Sequence, residues 1–319
     1  MAVKTKSKDI KITRLYDAPV KLVWEAWIDP KKAAKWWGPR GFTITTHSKD
    51  FRIGGIWHYT MHGPDGVDYP NKTVYFEIEK YKRLVYDHGG NDEQAPLFRV
   101  TVNFEEINNK TKMEMTMSLP TPEAAEETRK FVKAAGGNAT WDRLAEYLAE
   151  DEEKKEIFVI NRSFEAPVHL LFDMWSDPNH LANWMPPVGF KMEILSGSIK
   201  EGDSVFYKMG NEEFSMYGRS SYQTILRPEK LVFIQQFCTE SGEIGRHPGA
   251  PIWPKTWMTT AIFTEEEGDT SRVTITSEVI GDASREELEA FVNERGGMTK
   301  GWSGSFDKLE EYLLKINSR

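Results

Sequence analysis

The sequence predicts an α+β chain in which one pattern, an antiparallel sheet closed by a C-terminal helix, occurs twice. Three observations carry this. The 319 residues exceed what one ordinary core fills and favour two domains. Residues 10–42 recur at 158–190, with 14 of 33 positions identical at an offset of 148. Within each copy, strand, helix and turn signals follow in the same order.

The repeat aligns Ile12 with Ile160, Arg14 with Arg162, Ala18-Pro19-Val20 with Ala166-Pro167-Val168, Trp27 with Trp175, Asp29-Pro30 with Asp177-Pro178, and Trp36 with Trp184. The offset holds through Tyr59/Tyr207 and Met61/Met209, slips to 147 at Tyr75/Tyr222 and Leu84/Leu231, and widens to 159 at Phe104/Phe263 and 165 at Tyr147/Tyr312. A period this long is domain duplication rather than a solenoid. The expected domains are 8–150 and 156–316, joined by the charged connector EDEEKKE (150–156). So short a connector predicts that the halves pack on each other as a pseudo-dimer.

In the first copy, residues 10–16 alternate as a strand. Asp17-Ala18-Pro19 opens a helix whose Leu22, Val23, Ala26 and Trp27 share one stripe. Asp29-Pro30 starts a second short helix, with aspartate as N-cap and proline at the first helical position. Strands are expected at 42–51, 55–62, 72–79, 83–89, 98–107 and 111–119, separated by turns such as Gly63-Pro64-Asp65-Gly66. A helix from Thr121 to about Ala135, a Gly136-Gly137 break and a helical stretch Trp141–Ala149 close the copy. The second copy inserts Thr239–Thr256 between two strands that Gly89–Leu97 joins in the first.

Composition narrows the function. Hydrophobic residues at 39% and charged residues at 28% describe an ordinary globular chain, and the net charge of −8 invites no nucleic acid. One cysteine, Cys238, with no secretory leader and no membrane span in view, predicts a cytoplasmic chain. Eleven tryptophans require either a large core or a pocket to line.

The early proline, the Asp-Pro…Trp-Trp step, GGIWHYTMHGPDG (54–66), KRLVY (82–86), the TVNFEE…TKMEMTM strand pair and WDRLAEYL (141–148), echoed by GWSGSFDKLEEYL (301–313), together resemble one superfamily. It is that of the START-like, Bet v 1-like (SRPBCC) domains, in the branch named after the activator of Hsp90 ATPase. The resemblance covers nearly the whole chain. It implies two tandem helix-grip domains, each a curved antiparallel sheet around a long C-terminal helix with a cavity between them. Relatives of this kind bind apolar ligands, activate chaperones or act as cyclase-like enzymes.

Strand parity puts Trp57, Tyr59 and Met61 on one face, and Met113, Met115 and Met117 on another. With Trp36, Tyr75, Phe131 and Trp141 they form the expected wall of the first cavity. The second is expected to use Trp184, Tyr207, Met209, Tyr222, Trp253 and Phe291. The same residues also suit a plain core beneath a helix; tyrosines on an apolar face favour a pocket, because a buried phenol needs a polar partner. The long insertion reads either as a lid whose Trp253 closes the second cavity or as a loop packed at the domain interface.

Catalytic signatures are missing: there is no HExxH, CxxC or Gly-x-Ser-x-Gly pattern and no phosphate-binding glycine motif. His58 and His62 lie about 13 Å apart on one strand, too far to share a metal, and no metal or cofactor is expected. Cys238 reads as an inert thiol. Glu77, Asp87 and Glu105 would supply acid–base chemistry only if two of them entered a cavity, and they read better as surface groups. The expectation is therefore a non-catalytic protein that holds a small lipid-like or aromatic ligand. The alternatives are a chaperone-interacting protein that modulates an Hsp90-type ATPase and a cyclase- or hydrolase-like enzyme.

Overall fold

The computed structural model of the chain describes residues 7–134, 139–153, 155–266 and 269–317. The chain divides into two compact units, residues 1–154 and 155–319. In the first, β1 (Asp9–Tyr16) leads into α1 (Val20–Ile28) and α2 (Pro30–Trp36). Then follow β2 (Thr43–Lys49), β3 (Ile56–His62), β4 (Asp68–Glu79), β5 (Arg83–His88), β6 (Phe98–Ile107) and β7 (Lys110–Ser118), and α3 (Pro122–Ala134) and α4 (Ala139–Glu153) close the unit.

The second unit repeats the plan. It runs β8 (Ile157–Phe164), α5 (Val168–Ser176), α6 (Pro178–Trp184), β9 (Lys191–Gly197), β10 (Ser204–Gly210), β11 (Ser215–Leu226), β12 (Lys230–Cys238), β13 (Thr256–Glu265) and β14 (Ser271–Val279). It ends in α7 (Arg285–Asn293) and α8 (Arg295–Asn317). Each unit has its own seven-stranded antiparallel sheet, ordered β1-β7-β6-β5-β4-β3-β2 and β8-β14-β13-β12-β11-β10-β9. Two tandem α+β domains of the helix-grip kind are thus present. Among the described residues no helix is long and apolar enough to cross a membrane.

Matching side chains hold matching joints. Asp29 and Asp177 cap α2 and α6, taking backbone N–H groups at 2.7 Å and 2.8 Å. Trp36 and Trp184 donate their indole N–H to the carbonyls of Ala26 and Met174 at 3.1 Å and 2.9 Å, which locks each short helix pair. Thr111 and Ser271 each donate to an alanine carbonyl, Ala18 and Ala166, at 2.7 Å. Arg143 on α4 donates to the carbonyls of Gly38, Pro39 and Phe42, and Lys308 on α8 donates to that of Pro186. The loop after the second short helix is therefore tied to the last helix in both domains.

β4 begins at Asp68, four residues before the expected 72, because Pro70 reads as a strand breaker yet takes its place opposite Thr60 in the β3–β4 ladder. The Gly136-Gly137 break lies outside the described residues.

Candidate functional site

The second domain has a half-open cavity of about 320 Å³ between its sheet and α8. That is the lower end of the range that small-molecule sites occupy. β10 contributes Tyr207 and Met209, β11 Ser220 and Tyr222, and β12 Phe233, Gln235 and Phe237. Trp175 and Leu181 close it from α5 and α6, and Met185, Pro187 and Met192 from the segment that follows. α8 presents Met298, Gly301, Trp302 and Ser305. A Cβ at Gly301 would meet nothing within 4 Å, so this turn of α8 leaves room over the sheet.

The repeat shows how the two domains differ here. Trp37 and Trp57 of the first domain align with Met185 and Val205 of the second. Trp57 is 1% exposed and lies stacked on Tyr59, ring centroids 4.2 Å apart, with Trp37 edge-on at 5.1 Å. In the second domain these two indoles give way to a thioether and an isopropyl group, and Met185 lines the cavity.

Its polar groups are concentrated around one phenol. Tyr207 pairs with Gly218 across β10 and β11. Burial, reinforced by Cys238, pushes the Tyr207 phenol up to about 12, while hydrogen bonding from Gln235 and Ser220 pulls the other way. Gln235 accepts at its Oε1 from Trp257 Nε1 (3.1 Å) and from Thr259 Oγ1 (2.7 Å), and Thr259 in turn bonds Ser277 at 3.0 Å. Ser305 donates to the Met185 carbonyl at 2.8 Å. Trp302 stacks on Trp175 at 5.8 Å, as Trp141 stacks on Trp27 at 5.4 Å in the first domain.

The residues expected from sequence separate into two groups. Tyr207, Met209 and Tyr222 stand on the cavity wall. Trp184 is fully buried behind Trp175 in the core. Trp253 and Phe291 pack on each other at 5.6 Å, with Trp257 at 6.2 Å from Trp253. Arg246 pins that loop to α7, donating to the Pro251 and Trp253 carbonyls and to Glu287 Oε1 at 2.8 Å. The insertion thus seats Trp253 on its own domain's α7, and Trp253 is not among the residues that line the cavity.

In the first domain Trp57, Tyr59, Tyr75 and Met115 are buried together in the core, with Trp36 beneath Trp27. Met61 and Trp141 are half-buried at its edge. Phe131 lies outside the residues whose side chains are described. Tyr59 touches His88 Nδ1 at 3.3 Å, and burial lowers the His88 imidazole to about 4.

Glu77 and Glu105 are exposed, and Asp87 pairs with Arg99 through both carboxylate oxygens. A bulge between Tyr75 and Glu77 sends Glu77 outward although its even spacing from Tyr75 places both on one face. Sequence reasoning missed Trp175, Met185, Gln235 and Trp302. The signal for Met185 was present in its alignment with Trp37, a large-to-small change at an inward position.

Comparison with curated proteins gave no match. Among solved structures, a protein from Arthrobacter aurescens is 26% identical over 45% of this chain and 87% of its own, with a TM-score of 0.42. Ms6760 from Mycobacterium smegmatis is 20% identical over 50% of this chain and 91% of its own, with a TM-score of 0.43. The di-domain ARO/CYC BexL from the BE-7585A biosynthetic pathway is 12% identical over 95% of this chain and 97% of its own, with a TM-score of 0.38. The family model for activator of Hsp90 ATPase homolog 1-like protein matches residues 17–149 and again 165–314. The chain belongs to that family, with one copy of its domain in each half.

Proposed function

We propose that the second domain binds a small, mostly apolar molecule in the cavity between its sheet and α8. The carrying observation is the cavity itself, bordered by Met185 where the first domain has Trp37. The wall supports the reading. Met185, Met192, Met209 and Met298 supply flexible, polarizable contacts, which suit an irregular apolar shape. Trp175, Trp302, Tyr222 and Phe233 supply flat aromatic surface, and Tyr207, Ser220 and Gln235 give one polar corner that fixes orientation.

The first domain keeps the same frame with its interior packed by its own rings, so binding is assigned to the second half. Native mass spectrometry of the purified full chain tests this, followed by titration with naphthalene-type probes monitored by tryptophan fluorescence. A co-purified small molecule, or saturable probe binding lost in Val205→Trp, is the expected result. A chain that carries nothing and binds no apolar probe would overturn the reading.

A further inference from the structure

The polar corner of the cavity is made of hydrogen-bond donors. Gln235 fixes this by chemistry rather than by appearance. Trp257 Nε1 can only donate, so the Gln235 atom 3.1 Å from it must be the carbonyl oxygen. Thr259 Oγ1 occupies the same oxygen at 2.7 Å. The amide N–H groups of Gln235 are therefore its remaining donors, and Gln235 lines the cavity together with Tyr207. The Tyr207 hydroxyl on the same wall carries a proton to donate.

Another donor lies deeper. Trp175 is 1% exposed and, among the described residues, its Nε1 has no partner. In the first domain the equivalent Trp27 has the Tyr86 phenol beside it, and the indole holds down part of the rise that burial gives that phenol. The second domain has Phe233 at that position, and both Trp175 and Phe233 line the cavity. Ser305 spends its proton on the Met185 carbonyl, and no lysine, arginine or histidine is among the lining residues.

Donors without acceptors call for an acceptor in the ligand. The missing cation restricts its charge, because a carboxylate buried without a counter-ion costs far more than the donors return. We infer that the ligand of the second domain is a neutral carbonyl compound, a ketone or quinone on an aromatic or other apolar body, with its oxygen set against Tyr207 and Gln235. This rests on the ligand-binding reading above and adds the chemistry of the ligand's polar end.

Three probes of one shape separate the possibilities: acetylnaphthalene, ethylnaphthalene and naphthoate. With the full chain, acetylnaphthalene is expected to bind several-fold to about tenfold tighter than ethylnaphthalene, the gain of one well-made hydrogen bond, and naphthoate is expected to bind weakest. Tyr207→Phe should bring the ketone-to-ethyl affinity ratio toward one, with Ser220→Ala as a milder companion variant. The carbonyl stretch of bound acetylnaphthalene should fall to lower frequency in the wild type and recover in Tyr207→Phe. Equal affinities in the wild type, a ratio that Tyr207→Phe leaves unchanged, or preference for naphthoate overturns the assignment while leaving an apolar site in place. Failure of all three probes to bind overturns the binding reading itself, and this assignment with it.

Discussion

Tyr207 lies over Gly218 so closely that a Cβ at position 218 would come within 2.4 Å of the phenol's ring carbon and hydroxyl oxygen. The two residues face each other across β10 and β11, and the first domain has Tyr59 opposite Asn71 at the same place. Glycine is needed at 218 for space rather than for backbone freedom. It lets the ring settle against the sheet on the cavity wall that Gln235 and Ser220 share.

Gly218→Ala should therefore act on the site as well as on stability. The methyl group must displace the Tyr207 ring, an overpacking cost of about 1–3 kcal/mol. Urea unfolding measures that loss. Binding of an apolar ketone should weaken together with it, and a variant with unchanged stability and affinity would show that the ring can move at no cost.

Exchanging the bulky and small residues between domains should move the cavity. Val205→Trp places in the second domain the indole that Trp57 provides in the first, and should abolish probe binding while the fold persists. Conversely, Trp57→Ala removes a side chain stacked on Tyr59 and edge-on to Trp37, and should destabilise the first domain by roughly 3–5 kcal/mol. Denaturant titration together with probe fluorescence reports both effects.

Acid should loosen the first domain through His88. Burial lowers its imidazole to about 4, below its ordinary value of 6.5, so the unfolded chain takes up a proton more readily than the folded one. The stability contributed by neutral His88 is complete above pH 6.5 and is lost as pH falls toward 4. His88→Gln, which installs the residue that the second domain has as Gln235, should flatten the stability of the first domain between about pH 6.5 and 5, above the range where carboxylates dominate. Urea midpoints collected across that window for both proteins provide the check. Parallel slopes would assign the acid sensitivity to other groups.

Separate expression of residues 1–154 and 155–319 should give two folded proteins. Each half has its own complete sheet and its own buried cluster, centred on Trp27 in one and Trp175 in the other. Each should melt cooperatively, and only the second should bind an apolar probe. If neither half melts cooperatively, the halves depend on each other for folding.

Much of the frame was legible in the sequence, because short-range chemistry determines it. Asp29 before Pro30 and Asp177 before Pro178 specify a capped helix start wherever they occur. The alternation of Met113, Met115 and Met117 assigns a buried face whatever lies above it, and all three are buried. A repeat of this strength fixes two like domains without any knowledge of how either packs.

What tertiary structure alone decided is where that frame leaves space. Trp57 and Tyr207 occupy similar inward positions, yet one is packed between rings and the other borders a cavity, because volume depends on every neighbour at once. Glu77 shows the same limit for direction, since a single bulge reverses what parity assigns downstream of it. Trp253 shows it for loops: its composition marks a covered aromatic, and only the Arg246–Glu287 contact and the ring of Phe291 show what it sits against. The donor character of the polar corner is likewise a property of assembled strands. Gln235 becomes a donor to the cavity only when Trp257 and Thr259, twenty-two and twenty-four residues away, claim its carbonyl oxygen.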